Sequence, residues 1–387
     1  MVRVQSLHRQ DDYKASMKIN LVDVKAQNLS IKKELDAAIS DVIESTAFVY
    51  GPFVEAFEKE LAKYHESRFC AAVNSGTAAL HVALWALGIK AGDEVIVPGN
   101  TFIATAEAVS LAGATPVFVD CETEYFNLDP SKIETAITAK TKAVMAVHLY
   151  GQPAQLDRIK EITDRHGLFL VEDCAQAQLA KYSGRYVGTC GICGCFSFYP
   201  GKNLGAFGEG GAVITNDESL YNKVQVLKDH GSREKYIHEF PGHNYRMDGL
   251  QGAVLNVKLK YLPKWTEMRR QNAALYKKYL IDIPQLRLPE EHPDVYHVWH
   301  LFVVRVERRD ELFLYLKENQ IFSGIHYPVP CHLQKAYKFL GYHKGQLPVT
   351  ESYAAEILSL PFYPELEGAQ IIYIVNKIRN FFGVPGI

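Results

Sequence analysis

Val171-Glu-Asp-Cys-Ala-Gln-Ala177 and, further on, Ser197-Phe-Tyr-Pro-Gly-Lys-Asn-Leu204 decide how this chain folds. The first ends the apolar run 168–171 on a carboxylate, Asp173. The second sets an amine, Lys202, just after the apolar run 195–199. Working outward, residues 68–73, 94–97, 115–119 and 143–148 read as further short strands, and 211–215 follows. Between them, 77–87, 105–111 and 156–166 read as amphipathic helices; Leu80, Ala83, Leu84 and Leu87 share one face. Strands that are apolar throughout, alternating with helices, specify crossover units and a mostly parallel sheet buried on both faces. Residues 31–46 and 54–64 read as helices ahead of it.

The 387 residues exceed what one growing core usually accommodates. The pattern divides the chain into a large α/β domain over 17–250, a helical bridge over 251–284, and a smaller α+β domain over 285–387. In the last, 299–307 and 322–327 read as strands, and 310–319 and 369–382 as helices. Residues 1–16 are polar and read as an extension outside the fold, before Met17 opens the first strand-like run. A net charge of −2, with both signs interspersed, gives no footprint for nucleic acid. The longest apolar runs are too short to span a membrane. The seven cysteines are an odd number set largely in apolar runs, as expected for reduced thiols in a cytoplasmic protein.

Asn74-Ser-Gly-Thr77 ends one strand and opens a helix. Ser75 or Thr77 can cap that helix, and Gly76 lets an anion approach the backbone and the positive end of the helix dipole. Alone, such a turn is more often structural. Asp173 stands where ligands collect in open α/β sheets, beyond the carboxyl end of a strand. Gln176, three residues later, faces the same space. Lys202 is an ordinary lysine until it is placed with the other two. Together an amine for an aldehyde, a carboxylate for a ring nitrogen and a phosphate cradle form a site for pyridoxal 5′-phosphate. Lys202 would join the cofactor as a Schiff base and, once displaced, carry the reaction's proton. Ser197 is a second phosphate candidate, and Phe102 could stack on the ring. Cys190, Cys193 and Cys195 have no second ligand pair at a metal-binding spacing, so no metal is expected. The glycines Gly205 to Gly211 do not join a first strand to a helix and form no dinucleotide fingerprint.

These segments, with Thr-Phe-Ile-Ala-Thr at 101–105 and Gly-His-Asn-Tyr-Arg-Met-Asp at 242–248, resemble the DegT/DnrJ/EryC1/StrS nucleotide-sugar aminotransferases. The resemblance runs from about Met17 onward. It implies the fold-type I, aspartate aminotransferase-like architecture with pyridoxal phosphate as cofactor. It makes Lys202 the Schiff-base lysine and pairs Asp173 with the pyridine nitrogen. Gln176 falls to the ring hydroxyl, Gly76, Thr77 and Ser197 to the phosphate, and Phe102 to the stacking position. It also implies that Asn244 reaches the phosphate of a neighbouring subunit, hence a homodimer. Ile325-His-Tyr-Pro-Val-Pro-Cys-His-Leu-Gln334 is similar to the branch acting at C3 of a keto sugar. That assigns His326 and Tyr327, with Tyr199 nearby, to the sugar or diphosphate, and Lys235 and Tyr236 to the nucleotide side. Gln178 stands where the family often has His. A lysine at 202 separates the chain from the dehydratase branch, which has His there. The implied reaction moves an amino group from glutamate to C3 of a nucleotide-linked, expectedly dTDP-linked, 3-keto-6-deoxyhexose. A C4 aminotransferase, a sugar dehydratase and a non-catalytic cofactor-binding regulator are the alternatives.

Overall fold

The apolar runs assemble into one seven-stranded sheet. Its strands are β1 (Phe69–Val73), β2 (Glu94–Pro98), β3 (Thr115–Val119), β4 (Thr141–Val147), β5 (Phe169–Asp173), β6 (Cys193–Ser197) and β7 (Gly211–Thr215). The computed structural model describes residues 17–387; the expected extension, 1–16, lies outside the described residues. The spatial order is β1-β7-β6-β5-β4-β2-β3. The strands from β3 to β6 run parallel, and β7 is antiparallel to both its neighbours. The central strands are buried along nearly their whole length, which is why they read as apolar runs without alternation. Val54, Phe57 and Ile159 pack on one face, and Leu80, Ala83 and Leu84 on the other.

The chain beyond the sheet carries the helices Gly249–Leu259 and Leu262–Leu280, then a three-stranded antiparallel sheet of Leu286–Arg287, Phe302–Val306 and Ile357–Leu360. Helices Arg309–Glu318 and Gly368–Phe381 cover it through Leu312, Leu316, Ile371, Ile374 and Ile378. Ile19 enters this same core: its N–H donates to the Gln320 carbonyl, and its carbonyl accepts from Phe322. The N–H of Phe362 likewise donates to the Leu21 carbonyl. The first described residues are thus threaded through the C-terminal part of the chain.

The structure adds to or departs from the sequence expectation at three places. The helix expected at 31–46 is present as Lys32–Ser45, but an unexpected helix, Val24–Ser30, capped by Asp23, precedes it; the two break at Ile31, whose φ of −126° is not helical. Residues 322–327 form no strand. They make one single bridge, at Gly324, next to another at Ile321, and Tyr150 donates its hydroxyl to the His326 carbonyl, so no ladder pairing forms. The strand Ile357–Leu360 follows directly on the helix Pro348–Glu356, and no turn residue marks the change.

The sheet's one antiparallel strand meets the turn after β1 at very close range. A Cβ on Gly211 would lie 2.2 Å from the Ser75 carbonyl oxygen and 2.8 Å from the Gly76 nitrogen, both backbone atoms with little freedom to move. Gly211→Ala is therefore expected to cost about 1–3 kcal/mol, read as a lowered midpoint in chemical denaturation. An unchanged midpoint would show that β7 can move off the turn.

Candidate active site

The sheet's carboxyl edge is where the conspicuous residues converge. A cavity of about 570 Å³ is lined there by Gly76 and Thr77 after β1, Phe102 after β2, Leu149 after β4, Asp173 and Gln176 at and after β5, and Ser197 and Lys202 at and after β6. Each crossover delivers its loop to this edge, so residues distant in sequence meet without any one loop being long.

Asp173 is buried. Its Oδ1 accepts the Ala175 N–H at 3.1 Å, and its Oδ2 accepts the Thr105 hydroxyl at 2.8 Å. Thr105 is held in turn by Thr101, 2.7 Å away. Burial pushes the carboxyl's pKa above its ordinary value, while Ala175, Thr105 and the Lys202 charge pull it back. Those bonds fix the carboxylate's orientation for a cationic N–H partner.

Burial holds four lysines below the ordinary range: Lys202, Lys228, Lys258 and Lys277. Three are occupied. Lys228 donates to Glu58 and the Ala72 carbonyl, Lys258 to the Gly205 carbonyl, and Lys277 lies 4.9 Å from the Trp299 ring centre. Lys202 faces the cavity without a hydrogen bond among the described residues, and its pKa is lowered to about 8, with Asp173 opposing the shift. It is the available nucleophilic amine of the four.

At the other end, Ser75 caps the helix Gly76–Ala86 by accepting the Ala78 N–H at 3.0 Å. The Gly76 and Thr77 N–H groups are left at the helix start, beside the Ser197 hydroxyl. A Cβ on Gly76 would sit 2.6 Å from that of Ser197, so only glycine leaves this cradle open. Free N–H groups at a positive helix end, with a hydroxyl beside them, suit a phosphate.

His326 and Tyr327 reach the cavity. Tyr327 accepts the Gln176 side-chain amide at 3.2 Å and lies 5.5 Å from Phe102, ring centre to ring centre. The Gln176 side-chain oxygen accepts the Tyr150 N–H at 2.6 Å. Burial, then the nearby Lys202 charge, lowers His326 to about 4, so it is a neutral imidazole at pH 7. Tyr199 lines the mouth and is half exposed. Lys235 and Tyr236 are not brought there: they sit on an exposed hairpin, with Tyr236 83% exposed. Asn244 is exposed and binds Asn74 through its carbonyl, but it lies outside the lining of its own chain's cavity.

Comparison with known proteins places this geometry. The model of the DegT/DnrJ/EryC1/StrS aminotransferase family matches residues 29–379. The chain belongs to that family. A pleiotropic regulatory protein of Geobacillus stearothermophilus is 44% identical, with 95% of this chain and 99% of that one covered. A dTDP-3-amino-3,4,6-trideoxy-alpha-D-glucose transaminase of Streptomyces venezuelae is 47% identical over 94% of this chain and 96% of its own. The crystal structure of S. venezuelae DesV with a ketimine intermediate superposes with a TM-score of 0.92 at 47% identity, covering 94% and 98% of the two chains.

As in its family, the chain's cofactor is pyridoxal phosphate. The residues present fit it: an open anion cradle, a buried carboxylate with its lone pairs directed, and a free amine in the same cavity.

His300, Thr105, Tyr150, Leu21 and Val22 were not singled out by sequence, yet they line or brace the cavity. His300 belongs to the run 299–307 that reads as a strand, and Tyr150 lies just past the run 143–148. The sequence expects no metal, and one buried cluster, His148, Glu172 and Cys174, invites the question. Its donors are already engaged. Glu172 accepts the N–H groups of Gly188, Cys190 and Gly191 and bonds His148 Nε2, while His148 Nδ1 accepts the Ala154 N–H. It is a brace beneath β5, with no lone pair of the imidazole left for an ion.

The neutral amine is the nucleophile, so cofactor capture by the apoenzyme follows the deprotonated fraction of Lys202. Its rate is expected to rise about tenfold per pH unit up to about pH 8 and then level off. Stopped-flow absorbance checks this. A rate still climbing toward 10.5, the ordinary lysine value, would contradict the lowered pKa.

Proposed function

We propose that this chain transfers the amino group of glutamate to the C3 ketone of a nucleotide-linked 3-keto-6-deoxyhexose, with dTDP as the carrier. The observation that carries the reading is Lys202, the free amine, sharing one cavity with the fixed carboxylate of Asp173. Pyridoxal phosphate supplies an electron sink for the charge that develops when a proton leaves carbon next to nitrogen. The chain does the rest. Lys202 anchors the cofactor, and its Nζ, once displaced, takes the α-proton of glutamate. In the second half-reaction the same Nζ delivers a proton to C3 of the sugar. One base serves both halves because the two substrates use the cavity in turn.

Asp173 holds the proton on the ring nitrogen; its burial strengthens that pairing because little water competes. Gln176 turns its amide toward the ring hydroxyl, with its own oxygen secured by Tyr150. Gly76, Thr77 and Ser197 bind the phosphate, and Phe102 covers the ring. His326, neutral at working pH, and Tyr327 meet the sugar or its diphosphate by hydrogen bonding. Tyr199 stands at the entrance. Asn244 is offered to a second copy, whose phosphate it reaches in a homodimer. Lys235 and Tyr236, remote from this chain's own cavity, contact nucleotide only across that interface. Seven buried, unpaired thiols suit a reducing compartment, the cytoplasm.

The 47%-identical transaminase of S. venezuelae is named for a dTDP-linked sugar with its amino group at C3, which favours C3 over C4 here. The 44%-identical relative named as a regulatory protein gives weight to a second reading, a cofactor-binding regulator. Incubation with glutamate and a panel of nucleotide-linked keto sugars separates them. Mass spectrometry is expected to show a 3-amino sugar and 2-oxoglutarate, with the position fixed by NMR. Lys202→Ala should lose turnover by at least about a thousandfold while melting at an unchanged temperature. A C4 product, ammonia release, or full activity in Lys202→Ala would each overturn the proposal.

A further inference from the structure

Asn203, directly after Lys202, donates its side-chain N–H to the Val298 carbonyl at 3.0 Å. A carbonyl can only accept, so the amide nitrogen must face Val298 and the amide oxygen must face the other way. That oxygen lies 3.2 Å from His300 Nδ1. Oxygen there accepts, so Nδ1 carries the imidazole's hydrogen. Arg269 donates to the carbonyls of both Trp299 and His300, which fixes the backbone that presents the ring.

His300 is 8% exposed, and what remains of its surface borders the cavity that holds Lys202. Burial, reinforced by the charges of Lys202 and Arg269 and by His326, keeps it neutral. With Nδ1–H committed to Asn203, Nε2 keeps a bare lone pair and has no hydrogen-bond partner among the described residues. That acceptor borders the cavity into which Lys202 projects, and Asn203 and Lys202 are neighbours in one loop.

We propose that His300 is a positioning residue for Lys202: in the cofactor-loaded enzyme its Nε2 accepts an N–H of the Lys202 amine once that amine has been displaced from the cofactor. Asn203 locks the tautomer that makes this possible. The displaced amine is thus held at the cavity wall, oriented for proton transfer, instead of swinging freely on its four-carbon stem. The proposal rests on the functional reading above.

The test uses the holoenzyme in its pyridoxamine phosphate form, where Lys202 is free. Trace labelling with acetic anhydride across pH, read by mass spectrometry at Lys202, gives the amine's titration midpoint. Accepting a bond from the ammonium favours the charged form. His300→Leu should therefore lower the midpoint by about one pH unit, and His300→Gln, which keeps an acceptor, should restore part of it. Asn203→Ser, which frees the tautomer from outside the cavity, should shift it in the same direction by less. Labelling of Lys258, bonded to the Gly205 carbonyl, reports whether the fold has held. An unmoved midpoint in His300→Leu and Asn203→Ser overturns the proposal. If KM for the keto sugar rises in their place, Nε2 serves a sugar hydroxyl. Protection of wild-type Lys202 by pyridoxal phosphate is measured in parallel; its absence would strike the functional reading instead.

Discussion

A carboxylate and an amine occupy one cavity at the carboxyl edge of the sheet, and no direct ion pair joins them. Everything else about the site follows from keeping them apart and poorly hydrated. An ion pair would quench both, since an amine tied to a carboxylate is a weak nucleophile and a carboxylate tied to an amine is lost to a ring nitrogen. Asp173 is instead satisfied from behind, by Ala175 and Thr105, and Lys202 is left with burial alone. Burial lowers its pKa far enough to supply free amine near neutral pH. Lys258 shows the alternative: its pKa is lowered just as far, but the Gly205 carbonyl holds it in a structural role.

The scaffold beneath the pair is built for stiffness. Glu172, one residue before Asp173, points to the opposite face of β5 and collects three backbone N–H groups from the turn before β6. His148, at the end of β4, closes the set. Adjacent strands are thereby clamped by a fully bonded buried carboxylate directly behind the functional one. A Cβ on Gly194 would lie 2.2 Å from Gly188 Cα, so this clamp also requires glycine where turn and strand meet. Rigid support of this kind keeps a site's groups within the narrow geometry that proton transfer demands.

The parts of this arrangement legible in the sequence are those written in short, contiguous motifs. Asp173 ends its own strand, Lys202 follows its own, and Asn74 to Thr77 opens its own helix. Strand, loop and helix signals stand side by side there, and the parallel-sheet rule places all three on one edge. Illegible were residues that reach the cavity by tertiary return. His300 comes from the far part of the chain through the fixed turn at Trp299, and Tyr150 acts through its backbone N–H. Leu21 and Val22 arrive because Ile19 is bonded between Gln320 and Phe322. None of these carries a local signal. The expected strand at 322–327 failed for a related reason: its backbone is claimed singly by Tyr150 and Ser359, which periodicity cannot reveal. Lys235 and Tyr236, assigned through resemblance, lie away from this chain's cavity, and no property of one chain's sequence brings them closer.

The central claim is that Lys202, among four lysines of lowered pKa, is the one that holds the cofactor. Borohydride reduction of the holoenzyme fixes the cofactor to whichever lysine carries it, and peptide mapping by mass spectrometry then reads the site. The account predicts a single pyridoxyl adduct on Lys202. An adduct on Lys228, Lys258 or Lys277, or none at all, would contradict it.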